Sequence, residues 1–159
     1  MTLTQTNRLL KNPDYIACIN RLAELEAQRI YCCHTLAHFL DVARIAMLLC
    51  HESGLSLNPD LIYTTALLHD IGRLKEYEDG TPHHEASCAM ARDFLASLDF
   101  TPSEKETILS AIASHRKGGS GSLEQVIYKA DKLSRSCFAC NASDTCKWSN
   151  DKKNMELNY

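Results

Sequence analysis

The stretch from Leu61 to Gly72 constrains the fold of this chain more than any other part of the sequence. Its apolar residues predict a largely buried helix that ends in the pair His69-Asp70. Unpaired polar groups are expensive beside a core, so both side chains need partners. Metal coordination would satisfy them. A structural pair, with Asp70 capping a helix or accepting a hydrogen bond from His69, would do so too and is the commoner arrangement for an isolated His-Asp.

Length and charge narrow the classes of function. A chain of 159 residues suits one domain that buries roughly 70 per cent of its unfolded surface. The net charge is −3 and the charges are interspersed, which argues against nucleic-acid and membrane partners and favours small-molecule chemistry. The first residues do not resemble a signal peptide, and no apolar run approaches the roughly 20 residues of a membrane span. We therefore expect a cytoplasmic protein.

Helical spacing dominates the rest of the sequence, without convincing strand alternation. We predict an all-α fold, a compact bundle of about six helices over residues 12–135, followed by a cysteine-rich tail over 136–159. Residues 1–11 are predicted to fray, and the first helix is predicted to run from Pro13 to Ile30. Arg73 to Gly80 is charged and is predicted to be turn-like.

Several polar residues lie on or border the apolar faces of the predicted helices. A single histidine on such a face is usually a satisfied core residue, but this number in one small domain indicates a metal site. Imidazole and carboxylate ligands suit iron, manganese, cobalt, nickel or zinc. The residues come from five helices: His38, His69, Asp70, His83 or His84, His115 and Asp131.

The motifs around these residues resemble the HD superfamily of metal-dependent phosphohydrolases. His38 stands in His-Phe-Leu-Asp-Val-Ala, like the early histidine of that family, and His69-Asp70 stands in Leu-Leu-His-Asp-Ile-Gly, like its dyad. Asp131, in Ala-Asp-Lys-Leu, matches the late aspartate. The resemblance spans about residues 30–135 and implies an HD-like helical fold.

The remaining histidines are similar to the two intervening histidines of dinuclear family members. Small stand-alone bacterial enzymes that split dinucleoside polyphosphates have a similar layout. The resemblance implies one metal ion on His38, His69, Asp70 and Asp131, and a second on Asp70, His83 and His115. His84 is an alternative to His83.

The activity implied is cleavage of a phosphoester or phosphoanhydride by attack of metal-bound water, with Asp70 and His69 as the central catalytic residues. The expected substrate is a small phosphorylated molecule, above all a nucleotide. Four basic residues that follow the His69-Asp70 pair or His115 are candidates for binding substrate phosphates: Arg73, Lys75, Arg116 and Lys117. Each of them also fits a solvated charged loop. His34 and Glu85 are further candidates, either as metal ligands or as residues that orient a ligand. His34 also fits a position beside the substrate or simple packing, and Glu85 could orient a histidine or a water.

The chain contains eight cysteines, but a disulfide framework is not expected without a secretion signal. Cys137, Cys140 and Cys146 could bind zinc or an iron–sulfur cluster, although a fourth ligand is not obvious. Cys32 or Cys33 could complete that set. Reduced cysteines in a packed turn, or a redox-sensitive clasp, are the favoured alternatives.

Another class of function also fits the resemblance. A sensory module could keep the HD site to hold a nucleotide or a metal ion without turnover, although the complete ligand set favours catalysis. The sequence leaves the number of metal ions, the substrate and the oligomeric state open, and a homodimer is one option.

Overall fold

The protein is a bundle of eight α-helices in the computed structural model, which describes residues 2–159. Over these residues there are no strands, so the predicted all-α class is confirmed. The helices are α1 (Thr4–Leu10), α2 (Pro13–Leu25), α3 (Leu36–Glu52), α4 (Pro59–Leu68), α5 (Arg73–Asp79), α6 (His83–Ala96), α7 (Pro102–Ser114) and α8 (Ser122–Leu133).

Helix α4 lies at the centre of the bundle and contacts α1, α3, α6, α7 and α8. Its Ile62, Leu67 and Leu68 are fully buried, as are Thr64 and Thr65, so this helix is buried on several faces. The hydroxyl of Tyr15 on α2 donates a hydrogen bond of 2.9 Å to the carbonyl of Leu67. The end of α4 is therefore fixed from two directions, by packing and by a buried hydrogen bond.

Helix starts follow the capping residues of the sequence. The Asn58 side chain accepts a hydrogen bond from the amide of Asp60, with Pro59 as the first residue of α4. At the start of α7, Thr101 and Glu104 form the predicted reciprocal capping box. Both predicted starts are confirmed.

The prediction that residues 1–11 fray is wrong for α1. The carboxylate of Asp60 accepts hydrogen bonds of 2.8 Å from the amides of Gln5 and Thr6, and one of 2.6 Å from the Thr6 hydroxyl. An acceptor 54 residues away in sequence therefore satisfies the amides at the start of this helix. No local pattern in residues 1–11 predicts this contact with Asp60.

Two further boundaries differ from the sequence expectation. Helix α2 ends at Leu25, and Ile30 is 69% exposed, because the chain turns at Glu26 and buries that carboxylate. Arg73–Asp79 is helical rather than turn-like: its charges pair three residues apart, as in Lys75 with Glu78, and it ends at Gly80 in the left-handed region, φ +80°. The bundle thus has two helices more than predicted.

The cysteine-rich tail folds back on the bundle through short 3₁₀ turns at Cys137–Ala139, Ser143–Thr145 and Asn150–Lys152. The Asn154 side-chain amide donates hydrogen bonds of 2.7 and 2.9 Å to the carbonyls of Lys132 and Arg135 at the end of α8. Thr145 accepts a hydrogen bond of 3.3 Å from the hydroxyl of Tyr31, in the segment that connects α2 and α3. The domain boundary at 135/136 stays a prediction.

None of the helices between residues 2 and 159 is both long enough and apolar enough to span a membrane.

Replacing Asp60 by alanine tests the anchoring of α1. Asp60→Ala should lower the free energy of unfolding by about 2 kcal/mol, because the α1 amides lose their acceptor. Urea denaturation measures the difference, and Asp93→Ala, at an exposed acid on α6, should stay within about 0.5 kcal/mol of the wild type. Equal midpoints for the two variants would contradict this role of Asp60.

Candidate metal centre

The carboxylate of Asp70 lies among four histidines. It follows α4 directly and is 2% exposed. Its Oδ1 is 3.3 Å from His115 Nε2 and 3.6 Å from His83 Nε2. Its Oδ2 is 3.5 Å from His69 Nε2 and 3.6 Å from His34 Nε2. One buried carboxylate therefore faces imidazoles that arrive from distant parts of the chain.

A second carboxylate, Asp131 on α8, approaches the same place from the other side. Its Oδ1 is 3.6 Å from His38 Nε2 and 3.8 Å from His69 Nε2. Asp131 also pairs with Lys132 at 2.6 Å and with Arg135 at 2.8 Å. These cations offset part of the negative charge of the centre.

The side chains form two groups in which one ligand atom of each residue lies within 4.8 Å of every other. The first group is His38, His69, Asp70 and Asp131, and the second is Asp70, His83 and His115. Every member is buried, and Asp70 belongs to both groups. The structure thus brings together the six residues that the sequence analysis selected as ligands.

Hydrogen bonds at Nδ1 orient the histidines of the centre. An Nδ1–H that donates to a fixed oxygen leaves the Nε2 lone pair free to bind a cation. The acceptors are the Ala66 carbonyl for His69 (2.7 Å), the Ile112 carbonyl for His115 (2.6 Å), Glu76 for His83 (3.0 Å) and the Ser134 hydroxyl for His38 (3.3 Å).

Several buried atoms of the centre have no hydrogen-bond partner among residues 2–159. They include Nε2 of His38 and of His69, and Oδ1 of Asp70. Buried polar atoms without partners are costly and are uncommon in native proteins. Because these atoms are imidazole nitrogens and carboxylate oxygens that point to one place, the site fits a divalent transition metal.

The protonation states of the centre also suit a cation. Burial lowers the pKa of His38 to about 2, so its imidazole is neutral at physiological pH. Burial alone would raise the pKa of Asp70 and of Asp131, but the neighbouring His69, with His115 beside Asp70 and Arg135 beside Asp131, holds both pKa values well below the usual range. Neutral imidazoles and ionised carboxylates are the forms that coordinate metals.

His69 shows the competition between a proton and a cation. Burial lowers its pKa, but the carboxylates of Asp70 and Asp131 outweigh that effect and raise it. A cation held by the same two carboxylates would take the place of this proton.

The other histidine candidates lie beside or outside the two groups. His34 is buried next to Asp70, but its Nδ1 is 2.7 Å from a carboxylate oxygen of Glu26, and it belongs to neither group. His84 is half-buried, with Nε2 4.0 Å from the exposed Glu85. The geometry therefore favours His83 over His84 as the ligand.

The four cations selected from the sequence occupy different surroundings. Arg73 lines a cavity beside the centre, with its Nε 3.8 Å from Asp70 Oδ1. Lys75 pairs with Glu78 at 3.1 Å. Arg116 and Lys117 are exposed and are not among the residues that line this cavity.

Three charged residues of the site were missed by sequence reasoning. Arg135 follows Asp131 by four residues, a helical spacing that could have revealed it. Glu76, which orients His83, and Glu26, which orients His34, carry no such local signal.

The tail cysteines do not form a ligand group of this kind. Within residues 2–159, no cysteine sulfur belongs to a set of three potential ligand atoms within 4.8 Å, and all eight cysteines are free. Cys137, Cys140 and Cys146 instead line the same cavity as Cys32 and Cys33. The tail metal site therefore gains no support from the geometry.

Gly72 allows α6 to approach the centre closely. A Cβ at this position would lie 2.2 Å from the amide nitrogen of Ser87 and 2.3 Å from the carbonyl oxygen of His83. The Gly72 amide donates a hydrogen bond of 2.9 Å to the Ser87 hydroxyl. The absence of a side chain, rather than unusual backbone angles, is therefore what places His83 beside Asp70.

A match to a family model decides the family. The model described as HD domain matches residues 35–136. The chain belongs to the HD-domain family. Members of this family bind divalent metals, and the two His/Asp groups of this HD protein can do so.

The chain is also similar to individual proteins and to a solved structure. An uncharacterized protein of Clostridium beijerinckii is 42% identical over 153 residues, which cover 96% of this chain and 98% of that one. Ribonuclease Y of Clostridium botulinum (strain Hall) is 28% identical over 142 residues, or 79% of this chain but 27% of that protein. The crystal structure of a predicted HD superfamily hydrolase from an uncultured Thermotogales bacterium has a TM-score of 0.63 at 23% identity, covering 98% of this chain and 88% of that one, and shows the fold.

Substituting Gly72 tests the close approach of α6. Gly72→Ala should lower the free energy of unfolding by about 3 kcal/mol, because the new methyl group overlaps the α6 backbone. Ser87→Ala, which removes a hydrogen bond without adding atoms, should cost about 1 kcal/mol. Urea denaturation measures both, and an unchanged stability of Gly72→Ala would refute the steric explanation.

Metal content separates His83 from His84. After anaerobic loading with Mn²⁺, His83→Ala should hold one ion fewer than the wild type, because the second group loses a ligand. His84→Ala, the matched control one residue away, should keep the full content. Elemental analysis with quantified protein measures both variants, and the reverse pattern would assign the ligand to His84.

Proposed function

We propose that this HD protein is a metal-dependent phosphohydrolase that acts on a nucleotide or another small phosphorylated molecule. The observation that carries the proposal is the position of Asp70, which belongs to both ligand groups and lies within 3.6 Å of Nε2 of His83 and of His115. A purely structural His-Asp pair does not need three further histidines and a second carboxylate around it.

The residues would hold two cations. His38, His69, Asp70 and Asp131 would bind one, and Asp70, His83 and His115 would bind the other. Divalent ions in such sites supply Lewis acidity, which lowers the pKa of water and neutralises charge on phosphoryl oxygens.

The side chains around the centre have roles that follow from their contacts. The Nδ1 acceptors, such as the Ala66 carbonyl and Glu76, hold the imidazoles in one tautomer. The guanidinium groups of Arg73 and Arg135 are positioned beside the carboxylates, where they can bind phosphoryl oxygens. Binding between fixed cations reduces the reorganisation that a phosphoryl transfer requires.

The choice of a nucleotide is the narrower part of the proposal. A relative that matches most of this chain carries the name ribonuclease Y, and a ribonuclease cleaves phosphodiesters between nucleotides. The two ligand groups, which would suit two metal ions, also support a dinucleoside polyphosphate as a model for the substrate. The cytoplasmic location and the absence of nucleic-acid and membrane partners stay predictions from the sequence.

The proposal is tested by removing and restoring metal. Protein stripped with EDTA should be inactive, and Mn²⁺ or Fe²⁺ added anaerobically should restore hydrolysis of members of a panel of p-nitrophenyl phosphate, nucleotides and dinucleoside polyphosphates, with all products separated by chromatography. Asp70→Ala should lower the rate by about a thousandfold or more, because both ligand groups lose their common member. Lys129→Ala, at an exposed lysine outside the centre, should match the wild type.

Two results would contradict hydrolysis. Metal-loaded protein that is inert on the whole panel would remove the basis of the proposal. Tight nucleotide binding by calorimetry without any hydrolysis product would instead support the sensory module.

A further inference from the structure

A cavity of about 640 Å³ opens beside the metal centre. His34, His38 and Arg73 line it on the side of the centre, while the segment 29–33 and the tail residues Ser143 and 145–148 line other parts of its wall. Its volume lies in the range of small-molecule sites. The tail that follows the HD domain therefore contributes directly to a space that leads to the candidate reaction site.

Positive charge is concentrated in the wall of this cavity. Five cationic side chains line it, and Asp41 is the one carboxylate among the lining residues, in a protein whose net charge is −3. Such clusters attract anionic ligands. The cations are Arg29, Arg73, Arg135, Lys147 and Lys153.

Two of these cations have a buried Nε that makes no hydrogen bond with any described residue. The Arg135 side chain is 9% exposed, and its Nε has no hydrogen-bond partner in the described part of the chain. The Nε of Arg73 is also buried without a partner. A guanidinium group that lines a cavity and keeps a donor unused can donate to a phosphate oxygen.

The remaining three cations make no hydrogen bond or ion pair with the ligand atoms of the centre in the described part of the chain. Arg29 donates to the carbonyl of Cys32 and to Tyr77. Lys153 donates 2.7 Å to the carbonyl of Ser143 within the tail, and Lys147 is exposed. A substrate with a single phosphate, bound at the metal centre, would leave Arg29, Lys147 and Lys153 without an anion to bind.

We propose that the segment 29–33 and the tail bind the leaving group of the substrate, and that this leaving group carries a phosphate of its own. The substrate class is thus a molecule with at least two phosphate groups, one at the centre and one at the tail. This inference rests on the proposed phosphohydrolase function. It gives the cysteine-rich tail a role in substrate choice rather than in metal binding.

The molecule contains its own reporter for this cavity. Trp148 is the one tryptophan of the sequence and lines the cavity, with its ring 6.0 Å from the Lys132 amino group. A change in its fluorescence on addition of an anion therefore reports on the tail wall. Calorimetry on the same samples gives the affinity even where the fluorescence change is small.

The test uses inorganic triphosphate and orthophosphate on the full-length protein in EDTA. Triphosphate should bind and change the Trp148 fluorescence, and it should bind about tenfold more tightly than orthophosphate because more of the cations are engaged. Lys147→Ala should weaken triphosphate binding by about tenfold, through loss of one charge-assisted contact. Lys129→Ala, which removes an exposed lysine outside the cavity, should leave the affinity unchanged.

Other outcomes overturn the inference. Equal affinities for the two anions, or equal losses in Lys147→Ala and Lys129→Ala, would show that the tail does not select a second phosphate. If triphosphate binds as expected but metal-loaded protein hydrolyses nothing, the phosphohydrolase proposal fails while the anion site stands. If the protein hydrolyses simple monoesters but does not bind triphosphate at the tail, only the present inference fails.

Discussion

The buried carboxylate of Asp70 is the group on which the arrangement of this bundle depends. It carries negative charge at a place that the fold shields almost completely from water. Burial of an isolated carboxylate would cost several kcal/mol, so the fold must supply compensation from all sides. It does so with imidazoles from the segment before α3, the end of α4, the start of α6 and the end of α7.

The helices converge on Asp70 because their ends, rather than their middles, point to it. His69 and His115 are the residues that cap α4 and α7, and each donates Nδ1–H to a carbonyl of its own last turn. His83 is the first residue of α6, brought close by Gly72. A helix terminus has backbone groups without partners, so a side chain there can be oriented without distorting the helix.

Much of this arrangement could be predicted from the sequence, because the relevant signals are local. Each of these signals depends on residues close together in sequence: the proline after Asn58 or Thr101, the apolar spacing within α4, and the motif around His69. The family and the all-α class followed from them. The six candidate ligands also came from these motifs, and the structure gathers them at one place, although their binding of metal stays a prediction.

The parts that could not be predicted depend on pairs far apart in sequence. Asp60 orders α1 across 54 residues, and Glu26 stops α2 early by turning inward to His34. Neither acid differs in local pattern from the exposed acids around it. The cavity wall could not be predicted either, because the segment 29–33 and the tail that it contacts lie more than a hundred residues apart in sequence.

The attachment of the tail through Asn154 has a consequence for how this protein can diversify. The Asn154 amide donates to backbone carbonyls at the end of α8, the helix that carries Asp131. Backbone acceptors do not depend on side-chain identity, so the residues between Ser136 and Asn154 can change while their attachment point stays the same. Substitutions can thus change the lining of the cavity while leaving the histidines and aspartates of the centre untouched.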